Sequence, residues 1–345
     1  MKTLFRVSFL FKNLNFGFLL ILVLSQTLQG QSMDSTYAEK LGFPKGSRVL
    51  ILHVDDAGMS YDSNLGAEEA LTKGISTSVS VMMPCPWVTG FIKFLKEHKN
   101  IDAGIHLTLT SEWDNYRWAP LTGKTQSPGL YDPNGYFWPS AEEVVAHSNP
   151  QEVDLEIRAQ LEKARNMGFE PSHLDSHMGT LFDNPAFLMK YIQLGIENHI
   201  PIMLPGGHDQ LIAEETHAPM ERIQALQSLG KLVWSKGLPV LDDLHNISYD
   251  WIIPMDAKND FEKLREFKTK KYKEAFKSLK SGITMMIMHC TKTSPYFQYI
   301  SSSGPTREGD LLAMLDPILK KTIQEEGIIL TTWKEIRQRR NSRKN

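Results

Sequence analysis

Short apolar runs alternate with amphipathic stretches along most of the chain. Residues 49–54 form an almost continuous apolar run that ends in Asp-Asp-Ala-Gly, a pattern typical of a strand buried on both faces of a parallel sheet. Residues 64–73 follow with helical character and end at Gly74, a common helix stop. The same alternation continues, and further strands are predicted over residues 76–83, 101–110, 173–177, 200–204, 283–289 and 328–332.

The clearest predicted helix covers residues 150–167, where apolar positions recur on one face and Gly168 follows as a stop. Strand–helix alternation on this scale predicts a parallel α/β fold, either an open doubly wound sheet or a closed barrel. In both folds, functional groups lie at the carboxyl ends of the strands. Further helices are predicted over residues 87–98, 184–198 and 308–326, the last with a kink at Pro317.

The first thirty residues have the pattern of a signal peptide. Basic residues precede an apolar stretch over 16–24, and a polar segment leads to a small residue, Gly30. Because this stretch is about half of the ~20 residues that span a bilayer, we expect export to the periplasm or the medium. Residues 31–345 are then a single domain with no integral membrane span, and an uncleaved anchor is the alternative.

Composition narrows the class of protein without indicating an activity. With 41% hydrophobic and 23% charged residues, the chain has the composition of a globular protein rather than a disordered or multi-span membrane chain. A formal net charge of -2 offers no basic field for nucleic acid. Two cysteines, Cys85 and Cys290, are too few for a disulfide scaffold or a four-thiolate zinc site, and we expect two separate thiols.

Histidine and aspartate residues stand at the ends of three predicted strands, in segments 53–58, 104–110 and 173–177. The adjacent carboxylates of Asp55 and Asp56 would repel each other if both were buried and bare. A divalent cation removes this repulsion by binding one of them, and the other then serves as a base. Imidazole and carboxylate groups together are a ligand set for a catalytic divalent metal.

Each segment alone also has a purely structural explanation. An Asp-Asp pair at a strand end often forms a turn or a helix cap, and a single histidine in an apolar strand is usually a packed core residue. Their joint occurrence at successive strand ends favours the metal site.

These segments resemble the YdjC-like carbohydrate deacetylases, a family distantly related to the NodB-type polysaccharide deacetylases. The resemblance extends from about Arg48 to Trp333. It implies a (β/α) barrel-like, TIM-barrel-like fold that often has fewer than eight strands, such as seven. It also implies removal of N-acetyl groups from an amino sugar or a short oligosaccharide, with one divalent metal ion, Mg²⁺ or Zn²⁺. The residues that carry the resemblance are 54–58, 64–66, 77–80, 104–110 and 172–177.

The resemblance further implies roles for individual residues. Asp55 would be the general base for a water activated by the metal, and His289 would assist as an acid. The implied metal ligands are Asp56, His106 and His177. The chain departs from the family pattern in three places: Cys290-Thr291 follow His289 instead of Pro-Gly, no further histidine follows His177 directly, and an arginine common after Ile202 is missing.

Weaker candidates surround this set. Asp175 would either orient a ligand imidazole or cap a loop, and both interpretations stay open. His173 is grouped with Asp175 as a supporting residue, and His208 follows a predicted strand end where it would touch substrate. The loop 111–140 is rich in aromatic residues such as Trp118, which either stack on a sugar or pack the loop onto the barrel.

Two other functions remain as alternatives. A phosphoesterase would use the same metal site, but phosphate calls for basic clamps and the three segments contain no Arg or Lys. A non-catalytic carbohydrate-binding protein would keep the fold, but it has no need for a base beside a metal ligand.

Overall fold

Parallel strand pairing organises residues 35–343, the part of the chain that the computed structural model describes. The predicted signal peptide over residues 1–30 lies outside the described residues. The strands are β1 (Arg48–Ala57), β2 (Ser78–Val81), β3 (Ala103–Leu107), β4 (Leu174–Ser176), β5 (Asp243–His245), β6 (Gly282–Met288) and β7 (Ile329–Leu330).

The sheet is built around β1, and its order is β4-β3-β2-β1-β6-β5 with β7 paired to β1. Every strand pairing is parallel, so the carboxyl ends of the strands share one edge. Isolated bridges join Leu174 to Ile202 and Pro205 to Leu241, which continue the curl of the sheet from β4 towards β5. The prediction of a parallel (β/α) barrel-like fold, with seven strands in the described residues, is confirmed.

Helices cover the outside of the curled sheet. Residues Val49 to Ala57 of β1 are buried throughout, as the continuous apolar run predicted. The α-helices are α1 (Tyr37–Lys40), α2 (Tyr61–Thr72), α3 (Val88–Glu97), α4 (Ala141–His147), α5 (Pro150–Asn166), α6 (Pro185–Asn198), α7 (Gln210–Thr216), α8 (Met220–Ser235), α9 (Phe261–Ser278), α10 (Gly304–Leu315), α11 (Pro317–Glu325) and α12 (Trp333–Ser342).

Two predicted elements differ from the structure. The kinked helix over 308–326 is two helices, because the Asp316 side chain caps the Ile318 N–H and Pro317 takes the first position of α11. The predicted strand over 200–204 forms only a single bridge, at Ile202. Its neighbour Met203 donates its N–H to Leu174, so the segment pairs with β4 too briefly to count as a strand.

Two further expectations concern the membrane and the cysteines. None of the helices within residues 35–343 has the length and apolar character needed to cross a membrane. Cys85 and Cys290 are both free and buried, so the expectation of two separate thiols is confirmed.

Candidate metal centre

Polar residues at the ends of β1, β3 and β4 converge at the carboxyl edge of the sheet. Asp56 Oδ1 lies 3.4 Å from His106 Nε2 and 3.4 Å from His177 Nδ1. The ligand atoms of these three side chains all lie within 4.8 Å of one another, and all three residues are buried. The fold therefore brings together the three residues that the family resemblance implied as metal ligands.

The donor set fits a divalent cation on two counts. Two ligands that each lie ~2.1 Å from one ion at a tetrahedral angle are about 3.4 Å apart, which matches the separations around Asp56. Asp56 Oδ1 is buried and has no hydrogen-bond partner among residues 35–343. A buried carboxylate oxygen without a partner is costly, and a cation at this point removes that cost.

The backbone of β1 turns Asp56 into this position. Asp56 has a φ of 67°, in the left-handed region that non-glycine residues adopt rarely. The pairing register between β1 and β2 also shifts between Val54 and Ala57. Such an irregularity re-aims a side chain next to a functional site. Asp55 and Asp56 can thus both face the site, although successive residues of a regular strand face opposite sides.

A carboxylate supports each of the two histidines. Asp175 Oδ1 lies 2.6 Å from His106 Nδ1, and Glu112 Oε2 lies 3.2 Å from His177 Nε2. A carboxylate partner on one ring nitrogen fixes the tautomer and leaves the other nitrogen for a metal. Asp175 therefore contacts the imidazole of a candidate ligand, His106. Glu112 was missed by the sequence analysis, and its only signal is its place two residues after the segment 104–110.

The pKa values reflect the concentration of negative charge. Burial alone would lower the pKa of His177, but Glu112 and Asp56 outweigh it and raise this pKa to about 9. Burial would also lower the pKa of His106, but Asp55 and Asp175 outweigh it and raise this pKa above its usual value. Because the carboxylates draw protons onto both imidazoles, a divalent cation that binds here must displace those protons.

Asp55 stands beside the three candidate ligands. Its Oδ2 lies 3.8 Å from His106 Nε2 and 4.0 Å from His289 Nε2. Its Oδ1 accepts from Ser80 Oγ at 3.3 Å and lies 3.1 Å from His53 Nε2. Ser80 and His53 thus hold Oδ1 of Asp55, and its Oδ2 faces the site.

His53 lies beneath the centre, between two carboxylates. Its Nε2 is 2.9 Å from Asp175 Oδ2 as well as 3.1 Å from Asp55 Oδ1. Burial lowers its pKa, but Asp175 and Asp55 outweigh this effect and raise it to about 9. His53 therefore links the Asp55 carboxylate to the carboxylate that supports His106.

His289 reaches the site from the end of β6. Its backbone N–H donates to Asp310 Oδ2 at 3.0 Å, and its ring packs edge-on against Tyr249 with the centroids 4.9 Å apart. Burial lowers the pKa of His289 despite the nearby Asp56 and Asp55 carboxylates. The turn after His289 lacks Pro-Gly, and the Thr291 N–H donates to the Arg307 carbonyl instead.

Arg307 is a site residue that the sequence analysis missed. It comes from α10, and its Nη1 donates to Asp56 Oδ2 at 2.7 Å. The signal for it is weak, because a charged run in an amphipathic helix normally marks a solvated face. In α10, by contrast, Thr306 to Asp310 are all buried.

His173 lies deeper than the centre. Its Nδ1 is 2.9 Å from Ser172 Oγ, and its ring stacks on Trp333 with the centroids 5.1 Å apart. Its Nε2 is 3.8 Å from Asp175 Oδ2, and His53, His173 and Asp175 form a second group whose ligand atoms could hold an ion. Asp55, His106 and Asp175 form a third such group, which shares His106 with the first.

His208, for which a contact with substrate was expected, lies away from the candidate centre. Its Nε2 lies 2.9 Å from the carbonyl oxygen of Ser281, and its Nδ1 lies 3.2 Å from Asp243 Oδ2. Ser281 precedes β6 and Asp243 begins β5, so His208 lies at the amino edge of the sheet, opposite the site. The chain after the bridge at Pro205 turns towards that edge rather than towards the carboxyl edge.

Trp118 likewise does not present a face to a sugar. Its side chain is buried, and its indole N–H donates to the Thr110 carbonyl at 2.8 Å. Its ring packs edge-on against Trp113 and Tyr116, with centroid distances of 5.6 and 6.2 Å. The Trp118 ring also packs edge-on against His177 at the end of β4, with the centroids 6.5 Å apart, so its contacts agree with packing of the loop onto the barrel.

Comparison with known proteins gives consistent matches. Residues 49–325 match the family model described as YdjC-like protein. A carbohydrate deacetylase from Thermus thermophilus is 30% identical over 300 residues, which cover 87% of this chain and 97% of that protein. A carbohydrate deacetylase from Thermoanaerobacter pseudethanolicus is 21% identical over 83% of this chain and 98% of that protein. A proposed cellobiose-phosphate cleavage protein from Enterococcus faecalis shares the fold, with a TM-score of 0.67 and 21% identity over 84% of this chain and 99% of that chain.

Proposed function

Since the chain belongs to the YdjC-like family, we propose that it is a divalent-metal-dependent hydrolase that removes N-acetyl groups from an amino sugar or a short oligosaccharide. The relatives named carbohydrate deacetylases support the reaction type. The observation that carries the proposal is the convergence of Asp56, His106 and His177 around one point, with the Asp55 carboxylate beside it.

Asp56, His106 and His177 would hold the cation. The charges at the site favour a divalent ion. Four carboxylates lie close together, those of Asp55, Asp56, Asp175 and Glu112, and the permanently charged Arg307 contacts one of them, Asp56. Buried carboxylates are stable only when they are paired or coordinate a metal. When bound, a divalent cation lowers the pKa of water and polarises an amide carbonyl.

Asp55 would take the proton from the attacking water, because its Oδ2 faces the site while Ser80 and His53 hold its Oδ1. This fixed orientation keeps the base aimed at the same point in each turnover. The new C–O bond forms at the acetyl carbon and the C–N bond breaks, so that acetate and a free amine leave.

His289 would deliver a proton to the leaving nitrogen. Burial lowers its pKa, so the ring is neutral near pH 7 and needs a proton before it can donate one. The carboxyl group that Asp55 becomes after it accepts a proton lies 4.0 Å from His289 Nε2, too far for a direct hydrogen bond, and would supply the proton through one bridging water. One proton would thus travel from water through Asp55 and His289 to the amine.

The test is acetate release from N-acetylated chito-oligosaccharides, with and without a metal chelator. Asp55→Asn should lower the rate by about 10²- to 10⁴-fold, the usual contribution of a general base, and should retain its metal content. Full activity of this variant, or acetate release that no chelator affects, would contradict the proposal. Parallel assays with phosphate monoesters distinguish a phosphoesterase, and binding without turnover distinguishes a carbohydrate-binding protein.

We propose separately that the protein is exported, since residues 1–30 have the pattern of a cleaved signal. Mass spectrometry of the protein from the exported fraction should find an N-terminus near residue 31. Recovery of the intact N-terminus from the cytoplasm would contradict this.

A further inference from the structure

The two carboxylate oxygens of Asp56 contact different neighbours. Its Oδ1 lies 3.4 Å from one nitrogen each of His106 and His177, whereas its Oδ2 accepts from Arg307 Nη1 at 2.7 Å. Asp56 is 1% exposed and Arg307 is 2% exposed. Because water is excluded from both groups, this contact is not screened as a surface ion pair would be.

Arg307 is itself held firmly in place. Its Nε donates at 2.8 Å to Oγ of Ser303, the residue just before α10. The guanidinium carbon lies 5.3 Å from the ring centroid of Tyr249 and 5.5 Å from that of Trp113. Its carbonyl accepts from the Thr291 N–H at 3.2 Å, in the turn after His289. These contacts fix the point from which the guanidinium reaches Asp56.

We propose that Arg307 is a positioning residue for the metal centre, which holds the second oxygen of Asp56 so that the first is presented between the two imidazoles. This role rests on the proposed metal-dependent function. A positive charge at a cation-binding site ordinarily weakens the binding of the cation. The positioning role explains why an arginine is nevertheless present. Asp56 needs such support, because its left-handed backbone is less favourable than a regular strand conformation.

The alternative is that Arg307 only balances the charge of the carboxylates. The two roles predict opposite signs for one measurement. If Arg307 only balances charge, its removal takes a positive charge away from the centre and should tighten the binding of a divalent cation. If Arg307 positions Asp56, its removal lets the carboxylate rotate away from the imidazoles and should weaken that binding.

The experiment measures the affinity of the metal-free protein for Zn²⁺ by competition with a chromophoric chelator, for the wild type, Arg307→Met and Arg307→Lys. We expect the methionine variant to bind Zn²⁺ about 10- to 100-fold more weakly, the usual effect of losing a group that orients a ligand. The lysine variant keeps the positive charge but not the planar guanidinium group, and its affinity for Zn²⁺ should fall by less. If the methionine variant does not fold, the affinity of the lysine variant for Zn²⁺ tests the proposal instead.

Arg265→Met is the matched control. Arg265 lies on α9 and pairs with Asp316, another buried carboxylate, which does not belong to the metal centre. This variant should lower the melting temperature and leave the affinity for Zn²⁺ unchanged.

The outcomes separate the two proposals. Affinity in the Arg307 variants that equals or exceeds that of the wild type, in a wild type that binds Zn²⁺, overturns the positioning role alone. A folded wild-type protein that binds neither Zn²⁺ nor Mg²⁺ overturns the proposed metal centre and this role with it.

Discussion

Replacing Asp175 by asparagine should weaken both the stability of the metal-free protein and its affinity for a divalent cation. Asp175 is 1% exposed, and its two oxygens lie 2.6 Å from His106 Nδ1 and 2.9 Å from His53 Nε2. Asparagine has nearly the same shape but one oxygen and one NH₂ group. It can therefore accept from one imidazole only, and it places a donor against the N–H of the other.

The magnitude follows from these two contacts. A hydrogen bond to a charged group contributes about 1.5–3 kcal/mol, so the loss of one should lower the free energy of unfolding by about that amount. If His106 loses its carboxylate partner, the affinity for a divalent cation should fall by about 10- to 100-fold. Urea denaturation of the metal-free protein measures the first effect, and chelator competition with Zn²⁺ measures the second.

Asp102→Asn provides the control. Asp102 is equally buried and accepts from the backbone N–H groups of Trp333 and Lys334, at the start of α12 and away from the centre. This variant should lose stability without losing affinity for Zn²⁺. The reasoning is refuted if Asp175→Asn binds Zn²⁺ as tightly as the wild type, or if Asp102→Asn loses affinity to the same degree.

Two further predictions concern buried charges outside the centre. Burial, with the nearby Asp243, raises the pKa of Asp209 to about 8, so between pH 4 and pH 8 the folded state holds a proton that the unfolded state releases. Stability should fall as pH rises through this window, by at most about 1.4 kcal/mol per pH unit, and urea denaturation of Asp209→Asn should show a flatter dependence. Lys268→Met leaves Asp310 without the buried ammonium 2.7 Å away and should cost about 3–5 kcal/mol in the same assay. Lys263→Met removes an exposed ion pair with Asp256 and should leave the free energy of unfolding nearly unchanged. A pH dependence of Asp209→Asn like that of the wild type, or equal losses in the two lysine variants, would contradict these predictions.

The elements that were predicted well are those whose signals are local. Helix α5 was predicted from apolar positions on one face and from Gly168 as a stop, and in the structure Asn149 caps its start with Pro150 at the first position. The buried run of β1 needs no knowledge of its partners either, because an apolar stretch of this kind is stable only inside a sheet.

The helices and the strand within residues 210–280 were not predicted from the sequence. It contains α7, α8, β5 and α9, for which no elements were proposed. β5 has only three residues, Asp243–His245, and it begins with a charged group. Its stability comes from pairing with β6, a contact that periodicity along one segment does not contain.

The candidate site divides in the same way. Asp55, Asp56, His106 and His177 each follow an apolar run, and parallel strands place their carboxyl ends at one edge, so their approach could be expected from the order of residues. Glu112 and Arg307 have no such signal. Arg307 is 251 residues from Asp56 along the chain, and their contact exists because α10 packs with its charged side inwards.

The sequence by itself therefore determined the strand–helix alternation, the parallel sheet and the chemical groups that stand at its carboxyl edge, because these depend on local patterns and on strand direction. The choice between an open sheet and a barrel came from the family resemblance. The tertiary structure decided which groups support them. It brought Arg307 and Glu112 to the centre, buried Trp118 in its own loop, and placed His208 at the opposite edge. Those outcomes depend on how helices and loops pack against the sheet, which is a sum of many long-range contacts that no single segment encodes.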